Sequence, residues 1–193
     1  MTEQLYRHIQ KLVPSFTMEQ EQLAPFFQTK LVKKEELLLR EKEICDTIYF
    51  VNKGCLYLFY EYNEEKQVVH FALENWWITD YKTFPDGKPA VYSIAAMEDS
   101  EITCISRKNY ETLLSAYPLL ALYFNKIHER AYGAALLKQK TFATMSKRDF
   151  YYHFRNTYPE LTERISDAVL ASYMGISMEI LRDFQDPTFL KPA

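Results

Sequence analysis

The sequence predicts an α+β protein: an N-terminal antiparallel, jelly-roll-like β roll with flanking helices, then a long helix, then a small all-helical domain. Three observations predict this order. Short β-branched and aromatic segments alternate with turn-like sequences between about residues 30 and 106. Beyond Ser106 the helical period returns, and no proline interrupts the chain between Pro118 and Met145. Near the C-terminus two short helical segments meet at Gly175.

The composition is that of an ordinary globular protein and argues against several classes. The chain has 193 residues, of which 48% are hydrophobic and 25% charged, with a net charge of -3 and four glycines. It is therefore neither a protein that coats nucleic acid through charge alone nor one built on a glycine-rich phosphate loop. No apolar run is long enough for a membrane span, and the N-terminus lacks a secretory signal, so we expect a cytoplasmic protein.

The β region consists of short strands at hairpin spacing. Turn-like sequences such as Asn52-Lys-Gly54 and Pro85-Asp-Gly87 separate them. The predicted strands are Thr47–Val51, Leu56–Tyr62, Gln67–Leu73, Val91–Met97 and Glu101–Ile105. Several short strands at this spacing predict an antiparallel roll or barrel.

A long helix follows, beginning at Pro118 and continuing to about Met145. Steps of four and three along it form a heptad-like seam, and a helix of roughly 25 residues is about 38 Å long. One interpretation is a helix packed on its own β roll. The sharper one is a helix that pairs with a second copy of the chain. The dimer residues predicted on this seam are Leu120, Phe124, Ile127, Ala131 and Ala134.

The last segment has the order of parts of a helix-turn-helix. A helical stretch, Lys147–Thr157, precedes two shorter helices. Ala171 is a small residue inside the first of these, Gly175 supplies the tight turn, and Ser177 caps the second.

Four segments, Asp46–Gly54, Gly87–Ile94, Ala96–Ser106 and Leu170–Ser177, match a known family in register. With the order of parts, they make nearly the whole chain resemble the Crp/Fnr transcriptional regulators. The resemblance implies three domains. They are a cyclic-nucleotide-binding-like sensor with a double-stranded β-helix at 1–117, a dimerisation helix at 118–145, and a helix-turn-helix, a truncated winged helix, at 146–193.

The effector pocket implied by this resemblance departs from the family. Members that bind cyclic nucleotides resemble one another in a Gly-Glu pair followed by an Arg; here Asn75-Trp76 and Ala90-Val91 stand at those places. Because a buried phosphate without a cation is costly, we expect neither cAMP nor cGMP. A pocket filled by tryptophan and an unknown small-molecule effector remain the alternatives. The candidate pocket residues are Trp76, Trp77, Thr79, Lys88 and Tyr92.

The DNA-reading helix also departs from the family, because it is acidic where relatives are basic. The resemblance implies that Ser177, Met178, Glu179 and Arg182 face the major groove. Six basic against seven acidic residues between 141 and 193 weaken phosphate binding. A module that keeps the fold but has lost DNA binding is the alternative. The implied partners are a second copy of the chain, DNA and RNA polymerase, with no membrane.

Catalysis and metal binding find no support in the residue pattern. His70, His128 and His153 have no serine, cysteine or acid beside them at motif spacing. The cysteines, Cys45, Cys55 and Cys104, are not clustered and are expected to be buried apolar residues. We therefore expect neither an enzyme nor a metal or other cofactor.

Overall fold

The computed structural model describes residues 1–186, which divide into two compact units. The first comprises Met1–Tyr60 and Val69–Arg130, and the second comprises Glu61–Val68 and the chain from Ala131 onward. Residues 187–193 of the predicted third domain lie outside the described residues.

Two helices open the chain: α1 (Glu3–Leu12) and α2 (Gln20–Leu23). The Thr2 hydroxyl caps α1 by accepting a hydrogen bond from the Leu5 amide. The strands that follow are β1 (Gln28–Val32), β2 (Leu37–Leu39), β3 (Thr47–Lys53), β4 (Leu56–Tyr62), β5 (Glu65–Ala72), β6 (Trp77–Ile78), β7 (Ser93–Ala96) and β8 (Ser100–Ser106).

The strands form two four-stranded sheets, in the orders β1-β8-β3-β6 and β2-β7-β4-β5. Pairings such as Tyr49 with Cys104 and Leu58 with Ile94 are antiparallel. The predicted α+β class with an antiparallel roll is thus confirmed. Side chains of both sheets share one core, including Ile48, Phe50, Leu56, Ile94 and Ile102.

Gly54, in the turn between β3 and β4, is required by a close approach as well as by its backbone. Its φ is +101°, and a Cβ there would lie 2.1 Å from Ser100 Oγ and 2.9 Å from Ser100 Cα. No other residue fits this turn, because both the conformation and the space exclude a side chain.

The remaining helices are α3 (Arg107–Ala116), α4 (Leu119–Thr144), α5 (Lys147–Thr157), α6 (Pro159–Arg164), α7 (Asp167–Met174) and α8 (Met178–Gln185). Ser106 caps α3, since its hydroxyl accepts from the Asn109 amide. Helix α6 is absent from the sequence prediction; Pro159 opens it at the first helical position.

The three cysteines are buried free thiols. Within residues 1–186 no group of three metal-ligating side chains comes together. In the same range, none of the helices combines the length and the apolar character needed to cross a membrane.

Candidate functional site

Helices α7 and α8 are the two short helices that the sequence places on either side of Gly175. Ser166 caps α7 and Ser177 caps α8, each hydroxyl accepting from the amide three residues later. Between them Gly175 has φ +64° and ψ +48°, a left-handed conformation that ends α7 and lets α8 start at once. The amide of Ile176 donates to the Ala171 carbonyl across this turn.

The core of the second unit fixes these helices. The buried side chains are those of Leu170, the small Ala171, Met174 and Leu181. The Lys147 ammonium donates to the carbonyl of Met174, one residue before the turn. This lysine therefore holds the C-terminal end of α7.

One face of α8 is open to solvent. Ser177, Glu179 and Arg182 are exposed, and Met178 is half-buried. Spacings of three and four residues place Met178, Glu179 and Arg182 on one side of the helix. The Ser177 hydroxyl is engaged in the helix cap. Their contact with DNA stays a prediction, but the face on which it depends is accessible in the second unit.

Basic side chains near the helix-turn-helix also have structural roles. The Arg155 guanidinium donates to the Tyr151 hydroxyl at 2.7 Å, and Arg148 lies over the Phe184 ring. The Lys138 ammonium lies 4.0 Å from the centroid of the Tyr173 ring, and burial lowers its pKa to about 8. The unit thus uses part of its positive charge internally.

The tip of the β4–β5 hairpin, residues 61–68, belongs to the same unit as these helices. The Ser172 hydroxyl donates to the Lys66 carbonyl at 2.6 Å and accepts from the Val68 amide at 2.9 Å. A single side chain of α7 therefore satisfies two backbone groups of the hairpin. The sequence analysis missed this contact, because nothing near Ser172 in the sequence indicates a partner more than a hundred residues away.

The predicted dimer seam on α4 needs correction in the first unit. Leu120 and Phe124 are buried in the unit's own core, and Ile127 packs partly against it. They are therefore not available to a second chain. Ala131 and Ala134, in the second unit, are exposed.

A different apolar row on α4 is open. Leu122, Tyr132 and Leu136 are exposed by 50%, 68% and 47%. Leu122 belongs to the first unit; Tyr132 and Leu136 lie one helical turn apart in the second, and a Cβ added at Gly133 beside them would meet nothing within 4 Å.

The five predicted pocket residues are not brought together. Trp77 and Thr79 are buried inside the roll, where Thr79 donates to the Thr47 carbonyl at 2.9 Å. Trp76 instead stacks on His70 and is 41% exposed.

Lys88 lies at the surface, whereas Tyr92 is partly buried and packs against the core of the roll. The Lys88 ammonium is exposed and 2.6 Å from the Asp86 carboxylate, which lowers the pKa of Asp86. Tyr92 packs edge-on against Tyr60. The prediction that these residues form one pocket is therefore wrong for Trp76 and Lys88. Trp76 is held at the surface by His70, and Lys88 by Asp86.

Asp80 organises the segment between β6 and β7, and the sequence analysis missed it. Its side chain is 1% exposed, and its carboxylate accepts from the Val91 amide at 2.8 Å and the Lys82 amide at 3.1 Å. The stretch Asn75-Trp76, interpreted as the counterpart of the family's Gly-Glu pair, lies before β6 rather than in this segment. The sequence signal that could have indicated this role is an acid, Asp80, shortly after a short apolar strand, β6.

Two cations in or near this segment, Lys88 and Arg107, are paired with acids. Besides Lys88, Arg107 contacts Glu111 at 2.7 Å. Among the described residues, the buried hydroxyls of Tyr81 and Thr83 have no hydrogen-bond partner. Burial raises the pKa of Tyr81, which therefore stays neutral.

Comparison with known proteins agrees with this geometry. Residues 29–117 match the family model of the cyclic nucleotide-binding domain. No curated protein sequence matches the chain.

Several solved structures share the fold at low identity. A putative Crp/Fnr transcriptional regulator from Eubacterium rectale is 13% identical, with 90% of this chain and 83% of that one covered and a TM-score of 0.70. FixK2 from Bradyrhizobium japonicum is also 13% identical, with 82% of each chain covered and a TM-score of 0.68. The c-di-GMP responsive regulator CLP from Xanthomonas campestris is 15% identical, with 85% and 87% covered and a TM-score of 0.66.

Proposed function

Because the chain is a Crp/Fnr-like protein, with a cyclic nucleotide-binding domain at residues 29–117 and the fold of those regulators, we propose that it is a cytoplasmic, homodimeric, DNA-binding transcription regulator. The observation that carries the proposal is the helix-turn-helix. It has both serine caps, the left-handed glycine between its helices and an accessible face on α8.

Two residues of that face have the chemistry for base readout. The exposed Arg182 guanidinium can pair with two acceptors of a guanine, and Glu179 can accept from the amino group of a cytosine. Half-buried Met178 offers an apolar contact for a thymine methyl group. These contacts with bases supply specificity. Affinity for the phosphates depends on the basic side chains of the unit that have no structural role within it.

The open row on α4 supports a dimer. In the second unit, Tyr132 and Leu136 expose large apolar surface one helical turn apart, which a solvated helix surface avoids. A second copy would cover the same row by symmetry. Ala131 and Ala134 are also exposed in the second unit, but at 100° per residue they lie on a different face of α4, and their place in a dimer stays a prediction.

The roll is proposed not to bind a cyclic nucleotide. The β6–β7 segment buries the carboxylate of Asp80, whose charge repels a phosphate. Lys88 and Arg107 are both paired with acids. We expect addition of cAMP to leave the fluorescence of Trp77 unchanged, and saturable micromolar binding would overturn this part of the proposal.

A second candidate is a sensor or interaction module that no longer binds DNA. The observation in its favour is the charge of α8, where Glu179 and Asp183 are both exposed beside a single arginine. Carboxylates at a phosphate backbone cost affinity.

The test is to mix the purified protein with fragments of its own genomic DNA at about 50 mM salt, recover what binds, and repeat at about 200 mM. The proposal predicts a few palindromic sequences that survive the higher salt. Arg182→Ala should then weaken binding to an enriched site at least about fivefold, whereas Arg40→Ala, an exposed arginine on the roll, should not. Absence of enrichment at both salts would support the second candidate.

The dimer has its own test. Leu136→Glu should shift sedimentation velocity toward a monomer, because it places a charge on the proposed seam. Leu137→Glu is the matched control: the residue is 64% exposed on the same helix but lies off the seam. Equal behaviour of the two variants would contradict the seam.

A further inference from the structure

A cleft of about 530 Å³ lies on the first unit, and its lining includes none of the residues used above for DNA binding, dimerisation or the predicted pocket. Its volume is that of a small-molecule site. Most of its wall is one face of α1, because lining residues recur every three or four positions. The lining residues are Glu3, Gln4, Arg7, His8, Lys11 and Asn75.

His8 links this cleft to the interior through a defined chain of hydrogen bonds. Its Nδ1 lies 2.8 Å from the Tyr123 hydroxyl, and the Trp77 indole Nε1–H donates to that hydroxyl at 2.8 Å. Because the indole can only donate, the Tyr123 oxygen accepts from it, and we assign the hydroxyl's own proton to a hydrogen bond with His8 Nδ1, the neighbouring acceptor. The imidazole is then neutral and carries its own proton on Nε2.

The cleft has a positive field around this imidazole. Burial, followed by the positive charges of Arg130 and Lys11, lowers the pKa of His8 to about 4. Glu3 is the one acid of the lining, and its carboxylate is paired with Arg7 at 2.8 Å. The Gln4 amide donates to the Asn75 side chain at 3.1 Å and holds the far wall.

We propose that this cleft binds a small organic carboxylate, which Lys11 and the Nε2–H of His8 hold, and that Tyr123 and Trp77 respond to its presence. A carboxylate supplies the negative charge that the field favours and accepts from an imidazole N–H. Tyr123 lies on α4, so occupancy changes the environment of that helix within the first unit. The site does not depend on whether the protein binds DNA.

The test uses the full chain labelled with ¹⁵N and follows the two indole N–H resonances, that of Trp77 being identified with Trp77→Phe. Succinate, citrate and 2-oxoglutarate are titrated separately, with sodium chloride at equal ionic strength as the reference. The proposal predicts a saturable shift of the Trp77 resonance with at least one carboxylate. It predicts that Lys11→Met weakens this binding about fivefold or more.

Lys108→Met is the matched control, since Lys108 is exposed on α3 and does not line the cleft. It should bind the carboxylate like the unmodified protein. His8→Phe, which keeps a ring against Phe50, should weaken binding and abolish the response of Trp77. The proposal is overturned if none of the three carboxylates gives a saturable shift beyond that of chloride, or if Lys11→Met binds as tightly as Lys108→Met.

Discussion

Replacing Tyr123 by phenylalanine isolates the energetic role of one buried hydroxyl. Tyr123 has no solvent exposure, and its ring packs against Phe124. Phenylalanine keeps that ring and removes only the oxygen. The Trp77 N–H then loses its acceptor, and His8 Nδ1 loses its donor.

The magnitude follows from the burial of the two groups left behind. Trp77 is 5% exposed, so water cannot replace the lost acceptor, and a buried unsatisfied donor costs about 1–3 kcal/mol. His8 is half-buried and recovers part of its hydrogen bond from solvent. We therefore expect Tyr123→Phe to lower the free energy of unfolding by about 2–3 kcal/mol.

Urea unfolding followed by tryptophan fluorescence measures this directly, because Trp76 and Trp77 both lie in the first unit. With a slope of about 2–3 kcal/mol per molar urea, the midpoint should fall by about 1 M. Tyr60→Phe, at a partly exposed tyrosine of the same unit, is the control and should change the free energy by less than about 0.5 kcal/mol.

A double-mutant cycle tests the reason as well as the size of the effect. In a Trp77→Phe background no indole N–H is left unsatisfied, so Tyr123→Phe should cost about 1–2 kcal/mol less there. The reasoning is refuted if Tyr123→Phe matches Tyr60→Phe, or if its cost is the same in both backgrounds.

Three further outcomes follow from the same structure. Gly54→Ala should destabilise the first unit by about 3 kcal/mol or more in urea unfolding, because it combines positive φ with a clash against Ser100; a cost below about 1 kcal/mol would contradict it. Gly175→Ala should cost only about 1 kcal/mol, since its Cβ would meet nothing closer than the Lys147 Nζ at 3.7 Å, and faster amide exchange in α7 and α8 should report it. Because His8 has a pKa of about 4 when folded and 6.5 when unfolded, its contribution is complete above pH 6.5 and is lost as the pH falls toward 4. The difference in unfolding free energy between the unmodified protein and His8→Gln should change by about 1–2 kcal/mol across that window, after allowing for partial exposure, and a flat difference would refute the assignment.

Most of the fold could be predicted from local patterns. Five strands are visible as period-two segments, and Gly175 with the capping Ser177 predicts two short helices joined by a tight turn. Strands β2 and β6 have three and two residues, too few to show a period. Strand β1 is exposed at four of its five positions, so it lacks the alternation that burial on one face imposes.

The candidate sites were harder to predict, because they depend on which face meets which partner. Helix α4 carries apolar residues on two sides, and the sequence does not show that Leu120 and Phe124 meet the roll while Leu122 remains open. Likewise, the role of Asp80 depends on two backbone amides that the fold brings to its carboxylate. Both features are set by tertiary contacts rather than by period or composition.

The two tryptophans occupy consecutive positions but very different surroundings. Trp76 is 41% exposed beside His70, whereas Trp77 is 5% exposed between Phe50 and Phe124. A dissolved collisional quencher such as acrylamide therefore reaches one indole and not the other, and the emission of the unreached one is expected at shorter wavelength. The chain thus contains two spectrally separable reporters, one of its surface and one of its core. A change at the surface near Trp76 can therefore be distinguished from a change in the core near Trp77 in a single unlabelled sample.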